Sequence, residues 1–464
     1  MLKLVAAKAA MDSLLARFDH QWQRAQAYLR ANQNYLLAQG RIWAGRLLFW
    51  VSGIAVGLAA VGFAIMTEDV SRLFTEFARQ YPLAPFALTP LAGMGLVWLT
   101  RTYFRGAEGS GIPQVIAEMK RPENGPWRPL ISLRIAFGKV LVGVTAIGAG
   151  FSFGREGPTV QIGACLMAAA GRYLPATLRI QRHHLLVAGG AAGIAAAFNT
   201  PLAGIVFAIE ELSRSIESRM SGLVITAIVL AGVMAQYFLG NHTYFGNVTM
   251  FGETAELAQT IAACAVVTGL AGGLFSRLLV ISATGWKGPL ARFRQGHPYL
   301  FAAFCGGLVA GLGWASGGLT WCSGYDETRA LLNGSEQLPW YFGPAKFLAT
   351  LISYLSGLPG GIFAPSLAIG AGIGQDLVPF LLGQAFPTTV IVLCMVGFLA
   401  AATQAPITSF IIVMEMVNGY PLVIGLMATA LIASAVSRLV SRPLYATLAE
   451  HMVKQQMPTV EAPK

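Results

Sequence analysis

Long apolar runs alternate with short polar punctuation along most of this chain. Runs of full bilayer length fall at about 42–66, 82–100, 131–151, 222–239, 259–282, 298–315 and 421–440. Each predicts a helix that crosses a membrane, because about 20 apolar residues at a rise of about 1.5 Å span a hydrocarbon core roughly 30 Å thick. Shorter apolar stretches lie between them at 158–170, 185–198, 201–212, 363–375, 390–403 and 406–417. These are too short to cross. A helix that stops inside a membrane is tolerated only where its end is buried in protein or lines a polar path. The pattern therefore predicts an all-α integral membrane protein with a transport route built from tilted and broken helices.

Two stretches recur in order at nearly one offset. Pro158-Thr-Val-Gln-Ile-Gly-Ala164 returns 207 residues later as Pro365-Ser-Leu-Ala-Ile-Gly-Ala371. Asn199-Thr-Pro201, with Glu210 nine residues past the proline, returns 205 residues later as Gln404-Ala-Pro406 with Glu415. Two related halves follow, and inverted repeats meeting at the bilayer midplane are the common transporter solution. The expected boundaries are an N-terminal cytoplasmic amphipathic helix over 1–40, a first membrane repeat over 41–240, a second over 241–450, and a short cytoplasmic tail over 451–464. Leu14, Phe18, Trp22 and Leu29 fall near one face of the first of these.

Composition agrees. Of 464 residues, 55% are hydrophobic and 11% charged, whereas a soluble domain carries roughly 25% charged residues. Lipid must cover much of the surface. The net charge of +11 gathers at the two ends of the chain and in the loops 120–134 and 179–182, while 237–251 holds no Lys or Arg. By the positive-inside rule both termini are cytoplasmic, in a multi-pass protein of the plasma membrane, or of the inner membrane if the source is bacterial. No aromatic-interleaved basic stripe points to nucleic acid. The cysteines Cys165, Cys264, Cys305, Cys322 and Cys394 are scattered without a CxxC. They are read as small apolar fillers, and neither a metal nor a cofactor is implied.

Glycine, three residues, then proline precedes an apolar stretch at Gly109-Ser-Gly-Ile-Pro113, Gly154-Arg-Glu-Gly-Pro158 and Gly361-Ile-Phe-Ala-Pro365. Proline suits the first helical turn and glycine the non-helical approach to it. Each motif exposes backbone N–H groups at a positive helix end. Three such ends can converge on a monovalent anion without a full positive charge, which favours release as well as binding.

With these three motifs in order and Tyr445 in Arg442-Pro-Leu-Tyr445, the sequence from about 45 to 450 resembles the CLC family of chloride channels and proton/chloride exchangers. The resemblance implies a homodimer in the lipid bilayer, with one pore per subunit. It implies that Ser110 and Tyr445 donate hydroxyl hydrogen bonds to a central anion, with Gly111 beside Ser110, and that the N–H groups of Ile362 and Phe363 complete that site. Those of Arg155, Glu156 and Gly157 form an outer one. Serine at 110 implies chloride, since nitrate-preferring relatives tend to carry proline there. Taken alone, Tyr445 could equally be an interfacial belt tyrosine.

Glu156 is ionisable and sits between glycines at a helix start, inside apolar sequence. Such a residue is functional by default in a membrane, although a helix-capping carboxylate would look the same. Ionised, it can hold an anion position; protonated, it can swing aside. The resemblance makes it the gate. Glu210 and Glu211 close the short run that begins at Pro201, and either could simply face cytoplasmic water. The resemblance singles out Glu211 as the internal proton-transfer group of exchangers. It also predicts an acid near Lys139, just after the Gly109–Pro113 motif, but Gln114-Val115-Ile116 supplies none. The partners implied are chloride, protons and a second copy. A passive CLC-type channel is the alternative. An intramembrane protease is not expected, because Ser110 and Ser316 lack its spacing, and His183-His184 reads as a solvated loop edge.

Overall fold

The computed structural model describes residues 2–121, 129–175, 180–213, 218–240, 244–246, 257–381 and 386–456. Parts of the charged loops and the last residues of the tail fall outside these ranges. Among the described residues the protein is helical, with isolated β-bridges at two points.

The first half opens with α1, Leu2–Gln80, and α2, Pro85–Tyr103. The boundary expected at residue 40 falls inside α1, which runs without a break from the charged segment into the first span. Nothing there ends a helix: no proline intervenes, and a lone Gly40 costs only about 1 kcal/mol. Of the four apolar residues expected on one face, Trp22 is exposed, and the side chains of the other three lie outside the described set. After α1 and α2 come the short α3, Ile112–Met119, then α4, Leu133–Ile147, and α5, Glu156–Ala170. The run at 131–151 was expected to be a full span, yet α4 holds 15 residues. Ser132 caps its start through the N–H of Ile135, and Gly150, at φ 87°, lies in the turn beyond its end. Then follow α6, Arg182–Phe198, α7, Pro201–Phe207, a π-helical turn at Ala208–Ser213, and α8, Ser218–Leu239.

The second half repeats this order. It contains α9, Ala258–Thr284, α10, Pro289–Gly296, α11, Pro298–Ala315, and the short α12, Tyr325–Leu332. Next are α13, Phe342–Leu355, α14, Phe363–Leu377, α15, Pro387–Thr403, and α16, Pro406–Val417. The chain closes with α17, Val423–Val440, and α18, Leu444–Gln456. The equivalence reaches single residues. Both α6 and α15 end on a left-handed residue, Asn199 and Gln404, each at φ 58°, and a proline two residues on starts the next helix. Among the described residues, five helices are long and apolar enough to cross a membrane.

Small residues let these helices meet closely. Where α5 crosses α6, a Cβ on Gly163 would fall 2.1 Å from the carbonyl oxygen of Gly189, so the two backbones touch. All five cysteines are buried and free, as fillers should be. His184 is also buried, which corrects the expectation of a solvated His183-His184 edge. It lies in the first turn of α6, and only His183, half-buried, borders a cavity.

Candidate functional site

The three glycine–proline motifs are stitched to one another. Gly109 N–H donates to the carbonyl of Leu358 at 3.2 Å, and Gly360 N–H donates back to that of Gly109 at 3.1 Å. Gly154 and Gly361 exchange both of their backbone hydrogen bonds at 2.8 Å. The starts of α3, α5 and α14 are thereby held together across the two halves. Only glycine permits this crossing. A Cβ on Gly157 would lie 2.4 Å from Ser110 Oγ, and one on Gly361 would lie 2.9 Å from the nitrogen of Gly157. Gly111, at φ 107°, packs against the carbonyl of Gly157.

Donors collect where these backbones meet. Ser110 and Tyr445 are buried, with their hydroxyls near each other, yet neither closes a hydrogen bond of normal geometry. Among the described residues, the N–H groups of Ile362 and Phe363 at the head of α14 find no backbone acceptor. The Tyr445 ring stacks on Phe363 at 6.2 Å and 9°, and Phe363 leans on Phe198. Two hydroxyls and two backbone donors thus face one small, buried region with no full positive charge among them.

Glu156 lies alongside. It is 0% exposed, and its Oε2 accepts from Ala364 N–H at the head of α14 at 3.5 Å, while Oε1 has no partner. A carboxylate therefore occupies ground that an anion would also favour. On the other side Glu156 borders a cavity of about 30 Å³ whose walls include Arg155, Tyr244, Tyr325 and Asp326. Arg155 turns its guanidinium into that wall. It donates to the carbonyl of Ala64 at 3.0 Å and to the Tyr244 hydroxyl at 3.5 Å.

Glu211 is elsewhere. It is half-buried on a cavity of about 820 Å³ that also meets Lys120, His183, Arg438 and Arg442. Helix α6 runs from His183 on this cavity to Phe198, whose ring packs on Tyr244 of the small one. Along the helix these two residues stand roughly 20–25 Å apart. A further cavity, of about 970 Å³, is lined by Arg101, Arg105 and Arg294 together with Gly106 and Gln114 beside the Ser110 loop. Among the described residues no group of three or more His, Cys, Asp or Glu is placed to hold a metal ion.

Glu210 borders the same wide cavity as Glu211, with its carboxylate engaged. Its Oε1 and Oε2 accept the N–H groups of Ile407 and Thr408, at 3.0 and 2.6 Å, at the start of α16. Both neighbours sit in the π turn, a form frequent at functional sites. Lys139 makes its hydrogen bonds to backbone carbonyls rather than to a carboxylate. Its ammonium donates to the carbonyls of Ala107 at 2.8 Å, Glu108 at 3.4 Å and Gly109 at 2.7 Å, strapping the loop that carries Ser110. Gln161 adds to the same support through the carbonyls of Gly106 and Leu130. It stands in the repeated Pro158–Ala164 stretch, and a glutamine inside an apolar helix was the signal that could have found it.

Comparison with known proteins decides the lineage of this arrangement. The family described as voltage gated chloride channel matches residues 91–438. The chain belongs to that family. It is 30% identical over 435 residues to the H(+)/Cl(-) exchange transporter ClcA of Citrobacter koseri, covering 88% of this chain and 84% of the relative. Its fold is similar to the crystal structure of a slow cyanobacterial Cl-/H+ antiporter, with a TM-score of 0.75, 25% identity, and 89% and 98% of the two chains covered. A CLC-type fluoride/proton antiporter superposes with a TM-score of 0.73 at 21% identity, covering 88% of this chain and 98% of the other. CLC membership and the all-helical CLC fold, both expected from the motifs, are borne out.

Proposed function

We propose that this CLC protein is a secondary active transporter that exchanges chloride for protons across a plasma membrane, with both termini in the cytoplasm. One observation carries the reading. Two carboxylates lie on separate cavities on either side of one buried crossing, Glu156 against the head of α14 and Glu211 on the wide cavity that meets Lys120 and Arg442. The Citrobacter koseri relative and the cyanobacterial antiporter are named for the same exchange.

Chloride is held centrally by the hydroxyls of Ser110 and Tyr445, beside Gly111, and by the N–H groups of Ile362 and Phe363. The N–H groups of Arg155, Glu156 and Gly157 hold it further out. Ionised, Glu156 competes for the same helix ends; protonated, it loses that attraction and moves toward the small outer cavity. Glu211 receives its proton from the cytoplasmic cavity, and chloride reaches Ser110 from the basic one. Lys139 positions the Ser110 loop without touching the anion. Transport rather than catalysis is the activity assigned.

Each subunit holds its own path, and two copies pair. The exposed apolar side chains of Leu202, Ile225, Val229, Ile407, Ile424 and Leu431, on helices that pack side by side, supply a surface for this. Residues 1–40 remain on the cytoplasmic side, 41–240 and 241–450 form the repeats, and 451–464 is the tail. The test is purified protein in liposomes under a chloride gradient. Proton uptake driven by chloride exit is expected, and chloride flux without proton movement would make the protein a passive channel.

A further inference from the structure

Lys346 is a buried cation that the exchange mechanism leaves unused. It stands 207 residues after Lys139, the offset that relates Pro158 to Pro365. Its ammonium donates to three consecutive carbonyls, Thr320 at 3.1 Å, Trp321 at 3.0 Å and Cys322 at 2.9 Å. Lys139 does the same to Ala107, Glu108 and Gly109. The loops beyond correspond residue by residue. Gly109, at φ 63°, matches Cys322 at φ 53°, and Gly111, at φ 107°, matches Gly324 at φ 81°. Ser110 matches Ser323, and each loop then enters a helix of eight residues. The second half thus carries its own copy of the central-site loop.

That copy does not reach the central crossing. It ends in the wall of the small cavity that borders Glu156, where Ser323 and Tyr325 line it. Ser323 Oγ accepts from the N–H of Tyr325 at 3.3 Å. The Tyr325 hydroxyl donates to the carbonyl of Tyr244 at 2.8 Å, and its ring meets that of Tyr244 edge-on at 4.8 Å. Tyr244 in turn receives the Arg155 guanidinium, 5.7 Å over its ring. Cys322 has no glycine's freedom. A non-glycine residue in left-handed backbone is held there at a cost; Lys346 grips the Cys322 carbonyl, and the Cys322 Sγ donates to the carbonyl of Ile147 at 3.5 Å.

We infer that Lys346 is a positioning residue for the outer mouth of the anion path: it fixes the Ser323–Tyr325 turn, and through Tyr325 and Tyr244 it fixes Arg155 beside the Glu156 gate. The inference rests on the reading of this crossing as an anion path, but not on proton coupling. It predicts a defect on one side of the membrane only. A residue that merely supports folding would disturb both sides alike.

The experiment uses the full chain in liposomes of one orientation, with chloride flux measured as chloride is varied on each face in turn. Tyr325→Phe keeps the ring and removes one hydrogen bond. It should raise the half-saturating chloride on the outer face by about three- to ten-fold, the scale of one neutral hydrogen bond. The inner-face value and the flux at saturation should stay at the parent's. Lys346→Met should shift the outer value further, and Lys346→Arg, which keeps donors on a cation, should restore much of it. If Lys346→Met does not fold, Lys346→Met with Cys322→Gly relieves the left-handed strain, and the pair is measured instead. Equal shifts on both faces, or no outer shift in Tyr325→Phe, would overturn the inference. A parent that moves chloride without protons would refute the exchanger and leave this test intact.

Discussion

Glu210 and Glu415 cap each other's helices across the two halves of the molecule. Glu210, just past the C-terminal end of α7, accepts the N–H groups of Ile407 and Thr408 at the start of α16. Glu415, near the C-terminal end of α16, accepts those of Leu202 and Ala203 at the start of α7, at 3.3 and 2.8 Å. The exchange requires α7 and α16 to lie antiparallel, as inverted repeats demand. Each carboxylate answers two orphan donors and one positive helix end. Glu210→Ala and Glu415→Ala should each cost about 1–2 kcal/mol, the scale of a lost helix cap. Because both act on one helix pair, the double variant should cost less than the two single effects together. Thermal unfolding in detergent measures this, and strict additivity would mean that the caps are independent.

The neighbour of one cap has a different task. Glu211 lines the wide cavity, so its side chain can exchange protons with water. Glu211→Gln keeps the volume and removes the titratable group. Proton flux should disappear while substantial chloride flux remains, since the anion donors lie elsewhere. Glu210→Gln should be milder for protons. Paired ion and proton fluxes decide the ranking, and a larger proton defect in Glu210→Gln would reverse the assignment of the two residues.

How far this could be read from the chain depended on whether each feature leaves a side-chain mark. Glycine and proline at fixed spacing do leave one, so the three converging helix starts and the repeat were legible before any geometry. The partner of Lys139 was not, because three backbone carbonyls have no signature in sequence. Lys346 was within reach, since it stands at the repeat offset, but α13 has too little other likeness to α4 to draw notice to it. The boundary at residue 40 was drawn on charge, and charge does not stop a helix. The cap that Glu210 makes was not legible, because the start of α16, 197 residues away, carries nothing that announces a need for an acceptor.

Glu156 is placed to block. Its carboxylate meets the first turn of α14 and is sealed from solvent. Glu156→Gln removes the charge that competes for that turn, and Glu156→Ala removes the group entirely. Both variants should pass chloride, with Glu156→Ala at least as fast as the parent, and neither should move protons against their gradient. The check is proton uptake under an outward chloride gradient. Uphill proton movement in either variant would take Glu156 out of the mechanism.

The central donors offer the sharpest test of the anion reading. Tyr445 is 1% exposed, and both its hydroxyl and that of Ser110 lack a protein partner of good geometry. A buried hydroxyl without a partner costs stability unless a ligand answers it. Tyr445→Phe removes one donor and keeps the ring on Phe363. A hydrogen bond to a charged group contributes roughly 1.5–3 kcal/mol, and the N–H groups of Ile362 and Phe363 offset part of its loss. Chloride affinity should therefore fall by about tenfold or less. Tyr445→Ala also deletes a ring stacked at 6.2 Å on Phe363, which opens the inner end of the site. Affinity should then fall much further, and more chloride should pass for each proton moved. Ser110→Pro removes the other hydroxyl and stiffens the loop strapped by Lys139, and preference should shift from chloride toward nitrate. Calorimetric chloride binding, read beside paired fluxes, measures all three. If Tyr445→Ala binds and couples like the parent while Ser110→Pro keeps its selectivity, the anion is held somewhere other than between these two hydroxyls.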